Sequence, residues 1–298
     1  MTQRRSFADR LFQVLNYSGF GIITIICIFP FYYLFIQTIS DNALSANGSV
    51  TFFPKGIHFS NYIQVLQVKG LSHAALVSVG RTVLGTIGTV IGSAFLGYIF
   101  TKRKMAGRVF WYRFVIVTMY FNAGIIPWFI VMMNLNLTNN FWAYVLPAII
   151  SPFNVILVKT FVESLPEALE ESAEMDGAGT FTLFTRIVFP LIMPIVATIA
   201  IFSAVNQWNS FMDTVFLMTK DKYYTLQFVL YKYLNESNSL AAIIKSGQGL
   251  ENIDLSKLQT STSVRTTVAM IVVTPILAVY PFFQRYFVKG IMIGAVKG

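Results

Sequence analysis

Charge is scarce in this sequence. Only 12% of its 298 residues are Asp, Glu, Lys or Arg, against about 25% in a soluble domain. Hydrophobic residues make up 55%, and the mean hydropathy is +0.63. A water-soluble fold has nowhere to bury so much apolar surface. Cysteine is almost absent: Cys27 stands alone in the first apolar stretch, so an intrachain disulfide and a cysteine metal cluster are both excluded. It reads as a small buried apolar residue. The two histidines, His58 and His73, have no cysteine or second histidine at ligand spacing, and they read as surface or packing residues with no metal. No Gly-x-x-x-x-Gly-Lys-Ser/Thr stretch occurs, so the chain has no phosphate cradle with which to hydrolyse ATP.

What the sequence does have is long uncharged runs. Ser18 to Thr38 is 21 residues without a charge, too long for a signal peptide and without a clear small-residue cleavage site behind it, so it reads as a retained first span. Thr82 to Thr101 is a second. Phe114 to Val158 carries no charge at all and divides at the polar run Asn134 to Asn140 into spans at 114–133 and 141–158. Ile187 to Trp208 and Thr266 to Gln284 supply the fifth and sixth. The runs are continuously apolar, whereas barrel strands alternate, so the expected class is an all-α membrane protein of six transmembrane helices in one domain, 1–298. Gly85, Gly88, Gly92, Ser93 and Gly97 give the second span a small-residue face suited to close helix packing. Pro190 and Pro194 predict a bend or an irregular start in the fifth.

Basic residues orient the spans. With the amino terminus inside, 13 of the 22 Lys and Arg lie in inner segments: Arg4, Arg5, Arg10, Lys102, Arg103, Lys104, Arg108, Arg113, Lys159, Arg186, Arg285, Lys289 and Lys297. The rest sit in two long outer segments and at the mouth of the second span, where Arg81 lies. Both termini are therefore expected in the cytoplasm, and topology accounts for the net charge of +9 without nucleic acid. No other charge is expected to be buried within the spans, which argues against an ion-coupled secondary carrier. An intramembrane enzyme would need a buried Ser/His, His/Glu or paired-Asp set, and none is visible.

The inner loop 163–186 is the chemically distinctive segment. Pro166 precedes a short helix that Gly177 ends, and Glu167, Glu170, Glu171 and Glu174 fall at helical spacing as one acidic stripe. By itself such a stripe is either a docking helix or a solvated charged linker.

Here the sequence resembles the permease subunits of binding-protein-dependent ABC importers. Their loop signature, Glu-Ala-Ala, three residues, Gly, nine residues, Ile-x-Leu-Pro, is matched by Glu171-Ser172-Ala173, Gly177 and Ile187-Val188-Phe189-Pro190, with departures at Ser172 and Phe189. The likeness extends over nearly the whole chain and points to the carbohydrate branch, similar to the second maltose permease and to permeases for polysaccharide fragments. Trp208-Asn209 matches that branch's Trp-Asn motif, and the tail through Gly298 resembles one that inserts between ATPase subunits.

The resemblance implies a type I ABC importer permease fold in a bacterial cytoplasmic membrane. It implies a coupling helix that transmits ATPase closure to the spans, here Glu170, Glu171, Ala173, Asp176, Gly177 and Ala178, and an ATPase-contacting tail at Ala295, Val296, Lys297 and Gly298. The implied partners are a second permease, two ATPase subunits that hold the ATP and Mg, and an extracytoplasmic solute-binding protein that delivers an oligosaccharide. The chain itself is then a non-catalytic transport subunit that binds no cofactor. Sugars are held by amides and aromatic faces, so Tyr120, Asn122, Asn154, Asn206, Gln207, Trp208 and Asn209 are the pathway candidates, with hydrogen bonding between helices as the alternative role.

Overall fold

The computed structural model describes residues 7–68, 70–235 and 255–290. The expected tail, Ala295 to Gly298, lies outside the described residues. Among those described there is no strand, in keeping with the all-α expectation. In chain order the α-helices are α1 (Phe7–Ile39), α2 (Asn42–Ala46), α3 (Ser60–Leu66), α4 (Leu71–Ile99), α5 (Arg108–Tyr120), α6 (Ile125–Asn134), α7 (Pro152–Val162) and α8 (Ala168–Met175). Then come α9 (Thr180–Leu183), α10 (Phe189–Leu191), α11 (Met193–Asn209), α12 (Met212–Leu217), α13 over 226–235, and α14 (Leu255–Gly290).

Among the described residues two helices, α1 and α4, are each long and apolar enough to cross a bilayer, and two bent pairs each suffice if taken as one span. One pair joins the 3₁₀ turns at 141–148 to α7 through 41°; the other joins 180–191 to α11 through 83°. The larger bend falls where Pro190 and Pro194 remove backbone donors, and a turn of π-helix, Phe184–Val188, precedes it. The expected continuous helix over 114–133 is broken at 121–124. Gly124 takes φ 88° there, and the Asn122 Oδ1 accepts its N–H at 2.9 Å. Helix α4 begins at Leu71 rather than Thr82 and so takes Arg81 into its interior.

Contacts divide the chain into two units. In the first, Met1–Val68 with Lys232–Val273, α1 is buried only at Ile36, Gln37, Thr38 and Ile39. There Gln37 Nε2 donates to Val50 O at 3.0 Å, and the Thr38 and Tyr62 hydroxyls meet at 2.8 Å. Cys27 is exposed, contrary to its reading as a buried residue, on a stretch of α1 that has no buried residue before Ile36 among those described.

The second unit, Lys69–Tyr231 with Thr274–Gly298, is built around α4, which packs along its length on α11 and α7. Its small residues permit that approach. A Cβ on Gly92 would lie 2.7 Å from Ile149, and one on Gly97 2.8 Å from the Cβ of Val158. Below them Ala94, Tyr98, Val158, Leu183, Phe184, Val188 and Ile199 form a buried core.

Candidate coupling surface and buried arginine cluster

Helix α8 is fixed on two faces. Its small side is packed: Ala173 and, just past its end, Ala178 lie against the core that contains Tyr98 and Phe184. Its end is closed by a complete Schellman motif, in which Ala178 N donates to Ala173 O and Gly177 N to Glu174 O, each at 3.0 Å. Gly177 makes this possible by adopting φ 83°, a left-handed conformation that costs a side-chain-bearing residue.

The acidic face is held by the basic turn that follows α4. Glu170 pairs with Lys102, Glu174 with Lys104 at 3.0 Å, and Glu167 with Arg103 at 3.7 Å. Lys102 also lies 4.5 Å over the Tyr98 ring. The hydrogen bond from Lys104 holds the Glu174 carboxyl below its ordinary value, while burial lowers Lys102 against the attraction of Glu174. Arg108 Nη1 donates to Thr101 O at 3.0 Å and braces the turn. Between the turn and α8 runs a groove of about 490 Å³. Glu171 and Asp176 are exposed, and neither makes an ion pair among the described residues. Met175, 88% exposed, and Phe181, 69% exposed, form an apolar surface beside them. The basic triplet was legible in the sequence, at 102–104, but served there only to orient the spans.

At the other end of α4 lies a cluster that the sequence reading missed. Arg81 is 2% exposed and lies within α4, ten residues after its first. All five of its N–H donors are used. Nε and Nη2 donate to Gln207 Oε1 at 3.1 and 3.0 Å, and Nη1 to Ser210 O at 3.2 Å. The fork on Asp213 is bidentate, Nη1 to Oδ1 at 3.0 Å and Nη2 to Oδ2 at 2.6 Å. The guanidinium sits 4.3 Å over the Tyr144 ring, and Gln207 Nε2 donates to Tyr144 O at 3.1 Å.

The Tyr144 hydroxyl donates to Tyr223 O at 2.7 Å, and Leu226 N donates to Ser78 Oγ on α4 at 2.8 Å. The whole segment after α11 is thus fastened to α4. Gly85 makes room for it: a Cβ there would fall 2.4 Å from Gln207 Nε2. A lone arginine beside an uncharged run was the available signal, but its carboxylate partner is 132 positions away in sequence.

The pathway candidates therefore separate. Gln207 is 4% exposed and Asn154 is 5% exposed; Gln207 serves the arginine cluster. Asn206 and Asn209 are exposed on the same turn of α11, and Asn209 Oδ1 accepts from Gln227 Nε2 at 3.0 Å. Trp208 lines a cavity of about 310 Å³ with Val79, Val83, Ile201 and Val205. Tyr120 and Asn122 stand exposed at the break between α5 and α6.

A family model described as "Binding-protein-dependent transport system inner membrane component" matches residues 88–293, which takes in α8 and its signature. The protein LplC of Bacillus subtilis is 35% identical over 100% of this chain and 98% of its own length. The polygalacturonan/rhamnogalacturonan transport system permease protein YtcP of the same organism is 31% identical over 97% and 99%. Among solved structures, a chain of a bacterial ABC transporter involved in the import of the acidic polysaccharide alginate superposes with a TM-score of 0.82 at 28% identity, over 96% of this chain and 100% of that one. With its α8 signature, its all-helical fold and these relatives, the chain belongs to the inner membrane components of binding-protein-dependent transport systems.

Proposed function

We propose that this chain is the membrane-pathway subunit of an ATP-driven carbohydrate importer, and that α8 is the element through which a partner ATPase drives it. The observation that carries this reading is the presentation of α8. Two of its sides are anchored within the chain, while Glu171, Asp176, Met175 and Phe181 remain open to a partner. The permease names among the relatives support the transport class, and the polygalacturonan/rhamnogalacturonan permease and the alginate importer favour a polysaccharide fragment as cargo.

In this reading the chain crosses a bacterial cytoplasmic membrane six times with both termini inside. Two contacts within the second unit fit that arrangement. The segments assigned to the inner side meet through Lys104 and Glu174, and those assigned to the outer side meet where Asn139 Oδ1 accepts from Thr219 N at 2.8 Å. A second permease, two ATPase subunits carrying ATP and Mg, and an extracytoplasmic binding protein complete the assembly. Sugar would pass Asn206, Trp208 and Asn209, with Tyr120 and Asn122 as further contacts, while the Ala295 to Gly298 tail reaches the ATPase pair.

The test is Gly177→Asp in the assembled importer. A Cβ at 177 meets nothing within 4 Å, but the residue must hold φ 83°, so the substitution acts on the α8 terminus. Sugar uptake should fall steeply while the chain stays in the membrane and ATP hydrolysis continues. Uptake at the normal rate would refute the coupling role.

A further inference from the structure

The two charged clusters lie at opposite ends of one helix, and α4 is continuous between them. Helix α5 stops at 121–124 before α6, and the helical run into α11 turns through 83°, but α4 runs unbroken from Leu71 to Ile99. Arg81 and Ile99 are separated along it by about 27 Å of helical rise. Its sides are held as well: Thr89 Oγ1 donates to Ala148 O at 2.7 Å, and Gly92 and Gly97 leave room for Ile149 and Val158 to pack closely against the helix.

We infer that Arg81 and Lys102 are positioning residues at the two ends of a single transmission rod, α4. Lys102 fastens it to α8 through Glu170, and Arg81 fastens it to the 207–226 segment through Gln207, Ser210 and Asp213. A displacement of α8 reaches the segment after α11 without crossing a hinge, because a packed helix translates as a unit and a fully bonded guanidinium has no slack. The two clamps act in series, so release of either one uncouples the two ends. The chemistry suits each end. The Arg81 fork is desolvated and geometrically fixed, whereas Lys102 is a single point charge held between a carboxylate and a ring.

This inference rests on the importer reading, and its test separates the two. The complex is purified from its native membranes in a Cys27→Ser background with Lys220→Cys, an exposed position on the outer segment. Labelling of that thiol by a membrane-impermeant maleimide is timed with and without MgATP and orthovanadate. A complex without vanadate-sensitive ATP hydrolysis refutes the importer reading itself.

With hydrolysis present, trapping should change the labelling rate about fivefold. Lys102→Gln and Asp213→Asn should each bring that change close to unity while the rate of ATP hydrolysis is retained. A merely local role for Lys102 would leave labelling at 220 as responsive to nucleotide as before, with α8 still packed on the core that includes Val196 and Ile199 of α11. An unresponsive thiol in the unmutated clamps, or a response that survives in either variant, overturns the rod. Should Asp213→Asn fail to assemble, Lys102→Gln alone decides, because its carboxylate partner Glu170 keeps 22% of its side chain exposed and is not left as a fully buried charge.

Discussion

Arg81 and Lys104 both face a carboxylate, yet they inhabit different solvents. Around Arg81 the guanidinium is 3% exposed at its side chain and every donor is taken; Lys104 is 87% exposed and meets a single carboxylate oxygen. Coulomb attraction at such distances is several times stronger away from water and is screened by salt in it. The buried cluster is therefore a fixture, and the exposed one is a contact that opens and closes at little cost. Both clamps pair a base with a carboxylate, and burial sets the difference between them.

The sharpest way to break that contrast is Arg81→Met. It strands Asp213 and Gln207 among buried neighbours and should lower stability by about 3 kcal/mol, read as a fall in the thermal unfolding midpoint in detergent or as loss of chain from the membrane. Gly85→Ala attacks the same cluster by volume alone. The new methyl displaces the Gln207 amide, with an expected cost of about 2 kcal/mol in the same assay. Gly177→Ala has free space and suffers only the left-handed backbone, which should cost about 1 kcal/mol and appear as faster amide exchange confined to α8 and residues 176–178.

The smallest effect is expected at Lys104→Gln. Its unfolding midpoint should match the parent within error, while α8 amides exchange faster, and raising salt in the parent should reproduce that exchange. Acidification should do the same. The folded Glu174 carboxyl is held below its ordinary value, so its contribution is present above the ordinary carboxylate range and is lost as pH falls through the lowered one. If α8 exchange ignores both salt and acid, the exposed clamp is not electrostatic.

Much of the helical content was legible because apolar runs and charge-free stretches are local properties. The bend beside Pro190 and Pro194 was legible for the same reason, since a missing N–H acts within one turn. The break at 121–124 was not, because it depends on an Asn122 side chain capturing the N–H of Gly124 in competition with the helix. In the coupling segment, the glutamate stripe and the terminating glycine could be read directly, and the basic turn that grips the stripe could not, since only the fold brings 102–104 onto 167–174. The burial of Arg81 was not legible for a related reason: the polar ring that makes it tolerable comes from Tyr144, Gln207, Ser210 and Asp213, on other elements.

Helix α1 carries a consequence for biogenesis. Among the described residues α1 is buried only at Ile36, Gln37, Thr38 and Ile39, and Ile22, Ile23, Ile25 and Ile26 are each more than half exposed. Its backbone bonds are satisfied internally, so it needs only hydrocarbon around it to be content, and it is expected to partition into the bilayer as soon as it leaves the ribosome, before α4 or α11 exists. Fused ahead of a soluble reporter, this helix alone should carry the fusion to the membrane, with the remainder of the fold assembling later beside an anchor already in place.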